Sequence, residues 1–66
     1  MNHPVAYRCS WYGEGLSRHK WFTRRCDAES LAIAQKSVGY RTEVAPEYDR
    51  RILRFVSVVT PHTPVN

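Results

Sequence analysis

The chain begins with a stretch in which apolar and polar side chains alternate. Across residues 5–12, Tyr7, Cys9 and Trp11 fall on one face, and Arg8 and Ser10 fall on the other. A period of two predicts a β-strand with one buried face. The Gly-Glu-Gly sequence at 13–15 then ends the strand and predicts the start of a hairpin loop that reaches about residue 19.

A second strand is predicted over about residues 20–26, which include two aromatic residues and a threonine. Arg24 and Arg25 place charge on both of its faces, so this strand is expected at an edge of the sheet.

A helix is predicted to follow, with Asp27 as its N-cap and Glu29 beside the positive end of the helix dipole. Its narrow apolar stripe, at helical spacing, consists of Ala28, Leu31, Ala34 and Val38. Gly39 is the expected C-terminal stop. Ile33 lies off the stripe, where an apolar side chain is available for a contact surface.

The last third of the chain contains its most apolar segment. Residues 40–45 alternate weakly, which leaves open whether they form a short strand, and residues 46–49 predict a turn. Residues 52–60 predict the strongest strand, because apolar side chains occupy both of its faces. Such a strand is typical of the centre of a sheet or of a contact with a partner. A homodimer packed across a two-fold axis is therefore a further expectation, through Ile52, Val56 and Val58.

These elements predict an α+β fold in a single domain. Its architecture is one antiparallel sheet of three to four strands with one helix packed on one face, in the order ββαβ or ββαββ. The domain spans residues 1–66, with residues 1–4 and 61–66 expected to be flexible because both ends contain proline. The aromatic residues expected mostly in the core are Tyr7, Trp11, Phe22 and Phe55. One helix covers one face only, so the other face of the sheet remains available to a partner.

Chain length and composition limit the classes of function that the sequence can support. With 66 residues the chain is too short for most enzyme scaffolds, which need a walled pocket, and the prediction is a non-catalytic protein. Two cysteines, Cys9 and Cys26, are too few for a disulfide-rich secreted scaffold, so a cytoplasmic protein with free thiols is expected. Cys9 is expected in the core. No apolar run approaches the length of a membrane span, and no membrane partner is expected.

Residues that could carry chemistry do not form a known pattern. The cysteines and the three histidines lack metal-ligand spacing, so neither a metal nor a cofactor is expected. Cys26 lies between Arg25 and Asp27 at the predicted helix start, a setting that can activate a thiol. Nucleophilic catalysis also needs a base beside the nucleophile, and the sequence does not place a histidine there.

Net charge and aromatic residues together indicate a binding surface. Residues 1–26 contain five basic residues against a single acidic residue, whereas residues 27–66 contain five of each, so the net charge of +4 belongs to the first 26 residues. Basic residues alternate with aromatic ones along the strands, a composition found in nucleic-acid-binding sheets and in protein interfaces. The residues predicted to bind a partner are Arg8, Tyr12, Arg18, Lys20, Trp21, Arg24, Arg25 and Arg54.

The order of elements and the helix sequence Asp-Ala-Glu-Ser-Leu-Ala-Ile-Ala-Gln at residues 27–35 resemble small phage proteins that inhibit host machinery. One such group is the compact anti-CRISPR proteins of type I systems. Another is the short RNA polymerase inhibitors of lytic short-tailed phages. The residues that correspond to those polymerase inhibitors are Glu29, Leu31, Ile33, Ala34 and Arg54, whereas Val56 departs from their pattern. The helix start also resembles that of integrase arm-binding domains, which bind DNA with a three-stranded sheet.

The resemblance implies a phage or mobile-element inhibitor in the bacterial cytoplasm. It would dock on a host protein or protein–nucleic-acid complex, a CRISPR effector complex first, and compete with or displace nucleic acid there. The alternatives are an inhibitor of RNA polymerase and a sheet domain that binds DNA or RNA directly.

Overall fold

A computed structural model of the chain describes residues 3–57. Its elements are β1 (Ala6–Gly13), β2 (Leu16–Phe22), α1 (Arg25–Ser37), β3 (Arg41–Glu47), a 3₁₀ helix (Arg50–Phe55) and β4 (Val56–Ser57). The sheet order is β3-β1-β2-β4, with β1 antiparallel to both β2 and β3. The predicted α+β fold, an antiparallel sheet with one helix on one face, is confirmed. The short β4 differs from that prediction, because it pairs parallel with β2.

The hairpin between β1 and β2 is tighter than predicted. Glu14 and Gly15 form a two-residue turn with φ values of 50° and 77°, and positive φ at both positions is the requirement of a type I′ turn. Such a turn matches the twist of the strands, so pairing resumes at once, with Gly13 opposite Leu16. The predicted loop to residue 19 is therefore wrong. The predicted second strand is present, but its bounds are wrong: β2 starts at Leu16 and ends at Phe22 instead of spanning 20–26.

The helix begins earlier than the sequence predicted. Arg24 is the N-cap residue and makes no side-chain cap bond, so the prediction of Asp27 as N-cap is wrong. Asp27 lies in the first turn, where its negative charge interacts favourably with the positive N-terminal end of the helix dipole. The predicted stop at Gly39 is confirmed: Gly39 has φ of 104°, and its N–H donates to the carbonyl of Lys36 at 3.0 Å.

The core lies between the helix and the face of β1 that carries Cys9. Cys9, Phe22 and Ala28 are buried, and they are surrounded by the half-buried Tyr7, Trp11, Leu31, Ala32 and Val44. Cys9 is a core residue as predicted, and burial raises the pKa of its thiol. Tyr7, Trp11 and Phe22 also belong to this core as predicted.

The apolar stripe of the helix differs from the prediction in its second half. Ala28 and Leu31 face the sheet, but Ala34 is exposed and Val38 is 68% exposed. Ala32 takes the place of Ala34 in the core because the helix rests mainly on β1 and β3, which turns its 28-31-32 face inward. Ile33 lies off that face and is 70% exposed.

The segment after β3 departs most from the sequence prediction. The uncertain strand at 40–45 is formed as β3, which extends to Glu47 and shortens the predicted turn at 46–49. The strand predicted over 52–60 is wrong for its first four residues, which belong to the 3₁₀ helix. Asp49 caps that helix, since its Oδ1 accepts a bond from the N–H of Arg51 at 2.9 Å. This local bond competes with strand pairing.

The 3₁₀ helix also changes the surroundings of the apolar residues it contains. Phe55 is 60% exposed, so its predicted place in the core is wrong. Ile52 and Val56 do not share a strand. The end of the predicted strand at residues 58–60, including Val58, lies outside the described residues, as do residues 1–2 and 61–66 of the ends that were predicted to be flexible. The homodimer stays a prediction, but the strand face on which it was based is not formed.

Candidate binding groove on the open face of the sheet

The face of the sheet opposite the helix is built by alternate residues of three strands. Directly opposed residues of paired strands share a face, and the register pairs Arg8 with Trp21, Ser10 with His19, and Tyr12 with Ser17. The β3 residues on the same face are Arg41, Glu43, Ala45 and Glu47. This surface is called the open face below.

A shallow groove of about 260 Å³ runs along the open face between β1 and β2. It is lined by Arg8, Ser10, Tyr12, Ser17, Arg18, His19 and Trp21, and is called the open-face groove. Ser10 is 6% exposed and forms its floor, whereas Tyr12 is 39% exposed and His19 is exposed. The groove therefore presents aromatic and basic side chains around a small polar floor.

Glu47 holds two of these side chains in place. Its Oε2 accepts a bond from Arg8 Nη1 at 2.6 Å and another from Trp21 Nε1 at 3.1 Å. The Glu47 side chain is only 17% exposed, so solvent screens this ion pair less than it would screen a pair at the surface. Arg8 and Trp21 are consequently held in one position by Glu47, and such ordering lowers the entropy cost of forming an interface.

An aromatic row extends from the groove along the edge of the open face. The rings of His19 and Trp21 meet edge to face, with centroids 4.6 Å apart, and the Trp21 and Phe55 centroids are 5.9 Å apart. Tyr12 donates a long bond of 3.4 Å to Glu43 Oε1. Such surfaces offer large contact area at a small loss of side-chain entropy.

Within residues 3–57, ion pairs neutralise part of the positive charge that was assigned from the sequence to the first 26 residues. Four arginines are paired with acidic side chains: Arg8 with Glu47, Arg24 with Asp27, Arg25 with Glu29 and Arg51 with Asp49. Among the described residues the cations without an acidic partner are Arg18, Lys20, Lys36, Arg41, Arg50 and Arg54. On the open face itself, Arg8 and Arg41 balance Glu43 and Glu47. The face is therefore aromatic and close to neutral, not basic.

The structure brings half of the predicted binding residues together. Four of them line the open-face groove: Arg8, Tyr12, Trp21 and Arg18. Of these, Arg18 belongs to the helix-side face of β2, because it is opposite Trp11, and it reaches the groove at the strand edge. Lys20 lies on the helix side of β2, because it is opposite the buried Cys9. Arg24 and Arg25 lie at the start of the helix, and Arg54 lies in the 3₁₀ helix, beside Phe55.

Three groove residues, Ser10, Ser17 and His19, were missed by the sequence prediction. Ser17 and His19 were assigned to the hairpin loop, so their alternation with Trp21 was not seen. The signal that could have found them is the Glu14-Gly15 pair, since a two-residue turn fixes the register of every residue in β2.

The groove contains hydroxyl groups and an imidazole, but it lacks the contacts of a nucleophilic site. Among the described residues no hydrogen bond joins Ser10 or Ser17 to His19, although a nucleophile needs its base within hydrogen-bond reach. Within residues 3–57 no three His, Cys, Asp or Glu side chains converge as metal ligands. Cys26, exposed in the first turn of α1, is not a groove residue.

No helix in the described part of the chain has both the length and the apolar character needed to cross a membrane. The sequence matches no protein-family profile, and neither the curated proteins nor the solved structures gave a significant match.

Proposed function

We propose that this protein is a non-catalytic binding protein that docks on a host nucleic-acid machine through the open-face groove and inhibits it by occlusion. The observation that carries the proposal is the pair Arg8 and Trp21, held by Glu47 on a face that the helix leaves uncovered. Tryptophan, tyrosine and arginine contribute most of the energy in protein interfaces. The groove combines all three residue types within one small surface.

The charge of the open face favours a protein partner over bare nucleic acid. Nucleic acid lying across the sheet would bring phosphates toward Glu43 and Glu47 on β3, and these like charges would repel each other. A protein partner does not carry this regular line of negative charge. Direct DNA or RNA binding by the open face is therefore the weaker alternative.

The choice of targets to test rests on the resemblance of the helix and of the element order to small phage inhibitors. A type I CRISPR effector complex is the first target to test, and bacterial RNA polymerase is the second. Both would place this protein in the bacterial cytoplasm. Occlusion requires only a stable contact, which a chain of 66 residues can supply without catalytic groups.

The test adds purified protein to two reactions: DNA binding by a type I CRISPR effector complex and transcription by bacterial RNA polymerase. We expect inhibition of one reaction at micromolar protein. Tyr12→Ala and His19→Ala should weaken it about tenfold or more, because truncating a central interface residue typically costs about 2 kcal/mol. Val38→Ala is the matched control, since Val38 is exposed at the end of the helix and outside the groove. It should inhibit like the wild type.

Two results would contradict the proposal. One is the absence of inhibition in both reactions. The other is a groove variant that inhibits as well as the Val38→Ala control. A mobility-shift titration separates the alternative: a complex with bare DNA or RNA, whose affinity falls steeply with salt, would favour direct nucleic-acid binding.

A further inference from the structure

Strand β2 is paired along its whole length on one side only. It pairs with β1 from Leu16 to Phe22, whereas β4 pairs only with Trp21 and Phe22. The outward side of residues 16–20, called the free edge of β2, has no neighbouring strand within residues 3–57. The 3₁₀ helix before β4 contacts β2, with the ring of Phe55 beside that of Trp21, but among the described residues it makes no backbone hydrogen bond to residues 16–20. Backbone N–H and C=O groups along the free edge are therefore available for pairing.

The side chains along this edge carry positive charge alone. Arg18 and Lys20 are exposed, neither has an acidic partner among the described residues, and β2 contains no acidic residue. Both are opposed to helix-side residues of β1, so they lie on the same face, about 7 Å apart at strand spacing. A depression of about 540 Å³ lies beside them, lined also by Trp11, Ser17 and His19.

This charge pattern disfavours a second copy of the chain as the natural partner of the edge. Antiparallel pairing of β2 with itself, in the register centred on His19, would place Arg18 of one chain opposite Lys20 of the other. Like charges directly opposite each other destabilise a strand pair, and charged residues on an edge commonly prevent self-association. A strand with acidic side chains at these positions would instead be attracted to Arg18 and Lys20.

We propose that the free edge of β2 accepts an added β-strand from an acidic, extended segment of a partner protein. The segment would place Asp or Glu at alternate positions, opposite Arg18 and Lys20. Strand addition combines backbone hydrogen bonds for affinity with side-chain contacts at every second residue for specificity. The edge shares Ser17, Arg18 and His19 with the open-face groove, whereas Tyr12 belongs to the groove alone and Lys20 to the edge alone, so variants at these two positions test the two proposals separately.

The backbone of the edge favours a peptide over a nucleic-acid strand. An edge strand presents carbonyl oxygens as well as N–H groups. An added peptide strand pairs with both, whereas phosphates accept from the N–H groups and repel the carbonyls. Arg18 and Lys20 attract either ligand, so the preference for a peptide comes from the backbone groups of the edge.

The probe is a capped peptide of about nine residues that alternates glutamate with valine. Binding is followed by amide NMR shifts and by hydrogen exchange in the full chain. We expect saturable binding, with exchange protection gained by residues 16–20. A peptide of the same composition with its glutamates in one block should bind at least about fivefold more weakly, because it cannot place acids at alternate positions.

Charge reversal tests the specificity of the edge. Arg18→Glu combined with Lys20→Glu should weaken binding of the glutamate peptide about tenfold or more and create binding of a lysine–valine peptide. Arg41→Glu is the matched control, because Arg41 is an exposed arginine on β3, the other edge strand. It should leave binding within about twofold. If the double reversal does not fold, the pair Arg18→Gln and Lys20→Gln replaces it.

Several outcomes would overturn the proposal. They are the absence of peptide binding at millimolar concentration, equal loss of binding in Arg41→Glu, and protection that appears away from residues 16–20. Protection of these residues by a single-stranded oligonucleotide but not by the peptide would replace the peptide with nucleic acid. Tyr12→Ala separates the two sites: it should impair inhibition through the groove and leave peptide binding at the edge unchanged.

Discussion

Replacing Glu47 with glutamine removes the charge to which Arg8 and Trp21 are bonded. The Arg8 side chain is 37% exposed and that of Glu47 is 17% exposed, so their ion pair lies between the surface and buried cases. An exposed pair contributes about 0–1 kcal/mol, and removing one partner of a buried pair costs about 3–5 kcal/mol. Glutamine can still accept the bond from Trp21. We therefore expect Glu47→Gln to lower the free energy of unfolding by about 1–2 kcal/mol.

The assay is urea denaturation followed by tryptophan fluorescence, since Trp21 itself loses its partner on unfolding. Glu29→Gln is the matched control. It removes a carboxylate from the exposed Arg25–Glu29 pair, whose side chains are 69% and 49% exposed at an N–O distance of 2.9 Å. That pair should contribute about 0.3–0.5 kcal/mol. A domain of this length has a stability of roughly 3–10 kcal/mol, so the two variants should be clearly resolved.

The reasoning would be refuted if Glu47→Gln and Glu29→Gln lost equal stability. Equal loss would mean that the bonds from Arg8 and Trp21 to Glu47 are no more shielded from solvent than an ordinary surface pair. In that case the groove residues would not be ordered in advance of binding, and the entropic support for the open-face groove would be lost.

Three further predictions concern single positions. Cys26 is exposed and should be alkylated in the native protein, whereas Cys9 is buried and should be alkylated only in denaturant. Mass spectrometry measures the two labelling rates, and equal rates in the native protein would contradict this prediction. The hydrogen bond from Arg51 lowers the pKa of Asp49, so its stabilising effect is present above the unfolded pKa and is lost as pH falls through the folded value. Arg51→Gln should raise the pKa of Asp49 toward its ordinary value in an NMR titration, because the side-chain hydrogen bond is lost while the backbone N–H of residue 51 still donates, and an unchanged value would exclude the cause. Gly15→Ala, at φ 77°, should cost about 1 kcal/mol in thermal unfolding, and no loss would argue against the turn geometry.

The parts of the fold that bury one face could be predicted from the sequence. Strand β1 alternates because one of its faces meets the helix, and its predicted bounds differ from the observed ones by one residue at each end. Gly39 could be predicted as the residue that stops the helix, because a positive φ there favours glycine. Core residues such as Cys9 follow from the same alternation.

Strand β2 could not be predicted in the same way. Its residues 17–20 are all exposed, so no hydrophobic pattern marks them. They form a strand because the type I′ turn aligns their backbone with that of β1. Residues 52–55 show the reverse case: they are apolar enough for a strand, but the bond from Arg51 to Asp49 begins a 3₁₀ helix before them.

Only the part of the candidate site that lies within one strand could be predicted, because there the alternation of side chains shows which residues share a face. Arg8 and Tyr12 share a face at spacing four in β1, and this could be read directly from the sequence. Their contact with Glu47 and Glu43 depends on the register of β3 against β1, across a separation of 39 and 31 residues. That register is set by the packing of the helix between them in the chain, which no local pattern encodes.

Among residues 3–57, Phe22 is the one large side chain that is buried in the core. Phe22 is accompanied by the small residues Ala6, Cys9 and Ala28. A partner that binds only the folded state at a hundredfold excess over its dissociation constant adds about 2.7 kcal/mol, a large share of the stability expected for this length. One kcal/mol shifts the melting temperature of a domain this small by about 4–8 °C. Melting temperature should therefore be an unusually sensitive readout in a screen for the physiological ligand, even when nothing is known of its chemistry.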